Sequence, residues 1–448
     1  MKKSQSIPTA PRALPLVGHL LPLVRNPTLF LDSLPAHGDM VKIRVGPFSM
    51  VVLCDAGLTH QVLLDDRTFD KGGPIYDRAR EVSGNGIGTS HHDEHRRLRR
   101  LVQPSFHSSR LPGYAETMTA CIDEAVSSWR AGQILDVPTE MMAITSKIAM
   151  ATLFSGALSR EELDKLLDAG MTLLAGFYRR MFLIPPLDRL PLPGNRSYTR
   201  ARDHIHEVCG QIIAQRRVDG TDHEDLVSAL LSAHDVDTDG RGMTDAEIID
   251  TIVAILLAGI ENTASALAWA LDFLAQHPEV ERQVHDEVDT VLSGATATHA
   301  DLRHLEVTNR VITETLRLRP PAWFFTRTVT ADTRLGGHFL PAGTNVAYSP
   351  YLIHHRPDLH NRPEDFDPDR WDPRGPQPPR HAMIPFASGA RKCPGDTFAM
   401  AEATLALATI TARWRLEHAP GTERRPALSL TLKPRALPMR TWPRTVAQ

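Results

Sequence analysis

Phe386-Ala387-Ser388-Gly389-Ala390-Arg391-Lys392-Cys393-Pro394-Gly395 is the stretch on which the reading of this 448-residue chain turns. It reads as a tight loop that hands over to a helix. Gly389 and Gly395 permit backbone angles that other residues resist, and Pro394 suits the first turn of a helix. Asp396 to Trp414 is rich in Ala, Leu, Thr and Met and predicts a long helix. Cys393 then stands at a helix N-terminus, where backbone N–H groups and the helix dipole favour a thiolate over a thiol. A free thiol has a pKa of about 8.5, so a metal ligand at neutral pH needs such help. Arg391 brings a cation that can meet an anionic cofactor group, and Phe386 gives the loop an apolar wall. An isolated cysteine is more often a small buried hydrophobe.

The full pattern, Phe-x-x-Gly-x-Arg-x-Cys-x-Gly, outweighs that ordinary reading. It resembles the haem-binding loop of the cytochrome P-450 family, whose cysteine thiolate ligates the haem iron. The resemblance implies a mainly α fold with a smaller β region, built as a single domain over residues 1–448. It places haem b between a long distal helix and the Cys-loop helix. Cys393 is then the metal ligand, with Phe386 and Arg391 as further cofactor contacts.

Composition sets the outer bounds. The chain is 42% hydrophobic and 23% charged, the profile of a soluble globular protein. A formal net charge of −3 points to no nucleic-acid or anionic-membrane partner. Cys54, Cys121, Cys209 and Cys393 are few and scattered, which suits a reducing compartment. No Gly/Ser linker or repeat divides the chain. Residues 1–22 form a proline-rich lead-in, broken at Pro11, Pro15, Gly18, His19 and Pro22, so no clean signal-peptide core follows Lys2 and Lys3. The most apolar helical run, Ile248 to Ile260, reads as too short to cross a bilayer and contains Asp250. The expectation is a cytoplasmic monomer with no transmembrane anchor.

Local patterns fill in the elements. Val41–Val45 and Met50–Leu53 around Gly46-Pro47 predict a β-hairpin, and Arg334 to Tyr348 predicts another. Glycine-rich Lys71 to Ser90 predicts a loop. Helical patterns cover Gly113 to Leu158 and flank an apolar connector, Met181 to Gly194. A lid over an apolar pocket, plain packing, or contact with a membrane surface would each account for that connector. Asp219 to Gly242 reads as an exposed polar loop with one short helix. Thr244, with Glu247 three residues on, predicts a capped helix start. That helix runs to about Gln276 and is apolar nearly all round, hence buried. Gly259 inside it costs about 1 kcal/mol relative to Ala, so something is expected to press close to the backbone there.

Ala258-Gly259-Ile260-Glu261 matches the family's distal motif. Its usual next residue, Thr, is replaced by Asn262, with Thr263 one further along. Successive helix residues point about 100° apart, so Thr263 does not simply take its neighbour's place. Asn262 can donate and accept hydrogen bonds but lacks a hydroxyl to relay a proton. Glu261, Asn262 and Thr263 are the catalytic candidates. His95 and Arg99, four apart and on one helix face, match the family's haem-propionate pair, with Arg327 as a third contact. His91 shares that face with His95, yet no third metal ligand lies at a convincing spacing. Arg96, Arg97 and Arg100 read as outward-facing, either a solvated surface or a docking patch for an acidic electron donor. Glu314, Arg317 and Arg370 match a structural charged network. Tyr76, Ile87, Ala258, Gly259, Ala322, Trp323 and Phe324 are candidate pocket residues, with core or loop packing as the competing account.

The activity implied is a haem-thiolate monooxygenase using O2 and NAD(P)H-derived electrons. No flavin or iron–sulfur segment is recognisable, so a ferredoxin and its reductase are the expected donors. The pocket segments carry few charges and point to a small apolar substrate, a terpenoid or other polycyclic natural product, as for a sesquiterpene hydroxylase. Two alternatives share the fold: a peroxide-driven peroxygenase, and a non-catalytic haem-binding sensor or carrier.

Overall fold

The computed structural model describes residues 6–181, 190–235, 240–422, 424–428 and 431–444, and is mainly α-helical. The chain packs as two units. One comprises Met1–Asp77 and Leu316–Cys393, the other Arg78–Thr315 and Pro394–Gln448.

The first unit is built on a five-stranded sheet. Strands Met40–Val45 and Phe48–Leu53 pair antiparallel around Gly46, with Val45 opposite Phe48. Asn345–Tyr348 then adds parallel to Phe48–Leu53, Phe325–Val329 pairs antiparallel with it, and Phe69–Asp70 closes the far edge. The hairpin expected over residues 334–348 is shorter than that. Thr333–Leu335 pairs with His338–Leu340 through Gly336-Gly337, both at positive φ as a two-residue hairpin turn requires. Pro341 and Gly343 then break the pattern, and Asn345–Tyr348 joins the main sheet instead.

Arg317 and His354 organise the irregular segment beyond that strand. Fully buried Arg317 donates to the carbonyls of His354 (3.1 Å), Pro363 (2.6 Å) and Asp365 (3.0 Å). Arg370 donates to those of Asn361 (2.8 Å) and Arg362 (3.3 Å). The expected charged network therefore does much of its holding through backbone carbonyls, which irregular chain leaves unsatisfied. His354 accepts from the Ile384 N–H at 2.9 Å through Nε2, so Nδ1 carries the proton and donates to the Arg317 carbonyl. Burial pushes its pKa well below the usual histidine value and keeps the ring neutral.

The second unit surrounds the helix Asp245–Gln276. Thr244 and Glu247 form the reciprocal capping box. Helices Val137–Phe154, Pro193–Asp219 and Asp396–Arg413 pack against it, and helices Leu111–Ser127 and Arg160–Met181 pack onto these. Among the described residues it is the one helix long and apolar enough to cross a membrane, and most of its apolar stretch is buried inside the protein. The run is longer than Ile248–Ile260 because the small residues Ala264 to Ala270 continue the apolar surface.

Three expectations change here. Lys71–Ser90 contains the helix Pro74–Ser83, whose charged sequence hid it between glycines. Gly84 and Gly86 do shape a loop: a Cβ at Gly84 would collide with the Asp250 carboxylate, and the Asn85 N–H donates to that carboxylate at 2.9 Å. The short helix Leu226–Leu231 is buried, not exposed, with Asp225 capping it and pairing with buried Arg216 at 2.8 Å. Finally, β-structure extends to the C-terminal region, where Trp414–His418 and Ile134–Asp136 flank Pro438–Pro443, and Pro426–Leu428 pairs with Leu432–Pro434. Residues 182–189 of the apolar connector lie outside the described residues.

Arg317→Ala strips three carbonyls of their buried donor, at a cost of several kcal/mol. Denaturant unfolding should show that loss, and an unchanged midpoint would contradict the role given to Arg317.

Candidate active site

In the first unit the loop carrying Cys393 is closed by its own backbone. The Cys393 N–H donates to the Phe386 carbonyl at 2.9 Å, and Gly389–Arg391 makes a single 3₁₀ turn. Ala387 and Gly389 both sit at positive φ, 58° and 69°. At Gly389 a side chain is excluded twice, because a Cβ there would also strike the Leu63 carbonyl. The following helix begins at Asp396 with Gly395 as N-cap, so Pro394 precedes the helix and does not occupy its first turn.

A cluster of cations lies in the same unit. Buried Arg391 bonds Asp66 at 3.2 Å and Asp70 at 2.6 Å, which braces the loop with carboxylates of the chain itself. Buried Arg327 donates to the Tyr76 hydroxyl (3.1 Å), the Thr326 carbonyl (3.0 Å) and the Tyr348 hydroxyl (3.4 Å). Among the described residues no carboxylate lies within ion-pair distance of it. Tyr76, expected as a pocket residue, is thus a partner of Arg327. Lys71 was missed in the sequence. Its ammonium sits 5.7 Å over the Tyr76 ring, and desolvation pushes its pKa well below the usual lysine value. Arg327 and Arg391 push the same way, while Asp70 and Cys393 oppose them. Neither a motif nor periodicity marks Lys71; only its place after Asp70 on a sheet edge does. Ala322, Trp323 and Phe324 remain half-buried, the two rings 5.6 Å apart.

In the second unit the long helix sends each of three successive side chains to a different partner. Glu261 is buried and paired with Lys433 at 2.6 Å. The strand bearing Lys433 is clamped further: the Leu432 carbonyl accepts from Ser265 (2.9 Å) and Trp269 (2.7 Å). Glu261, Ser265 and Trp269 therefore form one stripe at four-residue spacing. Asn262 donates from Nδ2 to the Ala258 carbonyl at 2.8 Å, and its buried Oδ1 has no partner among the described residues. Thr263 is buried and hydrogen bonds to Glu402 of the helix Asp396–Arg413. It faces away from Asn262's surroundings, as the 100° step predicts.

Ala258 is exposed and Ile255, Gly259 and Asn262 are half-buried; their i, i+3, i+4, i+7 spacing makes them one stripe, flanked by half-buried Ala254 and Leu257. Among the described residues nothing beyond the adjoining helix backbone lies within 4 Å of where a Gly259 Cβ would stand, so the close neighbour expected there is not found. Beside that stripe Met150, Leu166, Leu167, Met171, Leu174 and Leu257 line a small apolar cavity. Ile87, by contrast, belongs to the packed core. His95 is buried and Arg99 half-buried on the helix His92–Val102. Arg97 and Arg100 do not simply face outwards: Arg97 bonds Glu247 at 2.6 Å and Arg100 bonds Asp235 at 2.9 Å. Arg96 is exposed.

A sequence model of the family described as "Cytochrome P450" matches residues 8–439. The chain belongs to the cytochrome P450 family. This P450 is 43% identical to cyclooctat-9-en-7-ol 5-monooxygenase of Streptomyces melanosporofaciens, an alignment covering 92% of this chain and 90% of that one. It is 42% identical to pentalenene oxygenase of Streptomyces avermitilis over 98% of both. The crystal structure of the cytochrome P450DA heme domain superposes with a TM-score of 0.89, 27% identity and 99% coverage of both chains. The protein is a P450 monooxygenase, and haem-thiolate is the cofactor of that family.

The residues present fit such a group. A buried guanidinium with only phenols and a carbonyl for partners is costly unless an anion meets it. Arg327 is therefore suited to a propionate, and a propionate beside Lys71 would favour its charged form.

Arg327→Met should lower the haem retained on purification while leaving the haem-free protein no less heat-stable, since it removes a buried charge. Undiminished haem content would contradict the assignment. Burial pushes the Glu402 carboxyl up to about 8 from 4.5, against the Thr263 hydrogen bond. The folded chain then keeps a proton that the unfolded chain loses, so stability falls as pH rises from 4.5 to about 8. Glu402→Gln should flatten that slope in unfolding curves across the window, and an unaltered slope would refute it.

Proposed function

We propose that this P450 hydroxylates a small terpenoid or similar polycyclic hydrocarbon. The observation that carries the reading is the accessible stripe Ile255, Ala258, Gly259 and Asn262, an apolar ledge with one amide on a buried helix. The names of the two Streptomyces relatives, both oxygenases of terpenoid skeletons, support the substrate class. So do the half-buried Ala322, Trp323 and Phe324. We treat the whole chain as one domain, cytoplasmic and monomeric, supplied with electrons by a ferredoxin and its reductase from NAD(P)H.

Bound haem would supply the oxygen activation itself, and the thiolate of Cys393 would hold its iron. The chain's own groups do the rest. Arg327 and Lys71 would meet a propionate, and His95 and Arg99 match the family's propionate-binding pair. Arg391, matched by Asp66 and Asp70, holds the Cys loop in place, with Phe386 as its apolar wall. Glu261, anchored by Lys433, is the carboxylate that takes protons in from the surface. Asn262 accepts a hydrogen bond at Oδ1 because its Nδ2 is tied to Ala258, and so orders the water through which that proton travels. Thr263 serves this path indirectly, by linking the helix to Glu402. The apolar ledge orients the substrate and excludes bulk water.

Purified protein titrated with a panel of terpenes tests the substrate class. Displacement of haem-bound water by a terpene, followed by NADPH consumption matched to product, is expected. Turnover with peroxide alone would favour a peroxygenase, and binding without turnover a carrier. Asn262→Ala should lower product formed per NADPH by about tenfold or more, with peroxide-supported turnover spared. Unchanged coupling would remove Asn262 from the proton path.

A further inference from the structure

The small apolar cavity of the second unit lies on the flank of the long helix. Helices Val137–Phe154, Arg160–Met181 and Asp245–Gln276 wall it, with Met150, Leu166, Leu257 and Ile260 among the lining residues. Its volume is about 10 Å³, counted as the space open to the centre of a water-sized molecule. A polycyclic substrate is far too large for it. Among the described residues no polar atom faces it. Water would find none of the roughly two to four polar partners that hold a buried water, and cavities with such a lining stay dry. What fits is one small apolar molecule.

The chain keeps this space open at a cost. Buried Gly170 forms part of the wall, in the interior of the helix Arg160–Met181. A Cβ there would meet only the Leu257 Cδ2, at 4.0 Å, an ordinary contact. Alanine would therefore be accepted, would gain about 1 kcal/mol of helix propensity, and would fill part of the void with favourable contacts. Gly176 on the same helix is a different case, since a Cβ there would strike the Tyr198 ring. Neither backbone angle nor packing demands glycine at 170; an open cavity does.

The walls also connect the cavity to both solvent and the distal helix. Met171 lines it and is 42% exposed, so one wall is a flexible, unbranched side chain in contact with water. Ile260 lines it too and immediately precedes Glu261 and Asn262, while Leu257 adjoins Ala258 of the accessible stripe.

We propose that this cavity holds dioxygen and stages it beside the stripe. Dioxygen is the small apolar co-substrate of the monooxygenase reaction, and it needs no polar partner where water needs several. It enters past Met171 and leaves past Leu257, so the stripe itself stays available to the organic substrate. The inference requires the oxygenase activity and not the terpenoid reading.

Crystals of the holoenzyme frozen under krypton, a small apolar atom that X-rays locate directly, test occupancy. Stopped-flow mixing of the reduced holoenzyme with oxygenated buffer measures delivery and needs no organic substrate. Krypton is expected between Leu166, Leu257 and Ile260 in the parent and not in Gly170→Ala. The same substitution should slow dioxygen uptake several-fold, with the thermal midpoint no lower and the haem spectrum unchanged. Gly170→Val, which fills more of the space, is read in the same way should alanine leave krypton bound. A parent cavity that takes up no krypton would overturn the proposal. So would a variant that excludes krypton yet takes up dioxygen at the parent rate, since the cavity would then be a packing void only.

Discussion

A single backbone hydrogen bond, from the Cys393 N–H to the Phe386 carbonyl, closes the loop on which the chemistry of this chain depends. That closure demands two residues at positive φ within eight positions and a glycine where the chain passes the Leu63 carbonyl. The irregular segment feeding the loop is secured in turn by Arg317 and by a neutral His354 that accepts from Ile384. Removing a donor from such a set leaves buried carbonyls unsatisfied, so the loop's shape is inherited from charges and amides well away from the sulfur.

Much of this was legible because the constraints are local. The Phe-to-Gly pattern around Cys393 encodes backbone angles and a cation, and both are found. Thr244 and Glu247 announced the long helix because a capping box needs only four residues. The hairpin around Gly46 followed from the β-rich runs on either side of it. Illegible features depend on partners distant in sequence. Nothing local says that Arg97 and Arg100 reach Glu247 and Asp235, that Arg391 finds Asp66 and Asp70, or that Lys433 meets Glu261. Helix Pro74–Ser83 was lost between flanking glycines, and the C-terminal strands Pro426–Leu428 and Leu432–Pro434 were too short to carry a period.

The long helix shows how one element serves stability and chemistry together. Its buried faces are fixed by packing and by bonds to Leu432, Lys433 and Glu402. The accessible stripe is spared those ties, apart from the amide of Asn262, which is turned back on its own helix. An amide held in that way presents Oδ1 as an acceptor and keeps one N–H to donate. On the proposed function, proton supply then falls to Glu261.

The central claim is that Cys393 delivers a thiolate to haem iron. The most direct measurement is the absorption spectrum of the reduced, carbon-monoxide-bound protein, compared between the parent and Cys393→Ser. The account predicts the long-wavelength band of thiolate-ligated haem in the parent and its loss in the variant. A variant that keeps the band, or a parent that never shows it, would contradict the account.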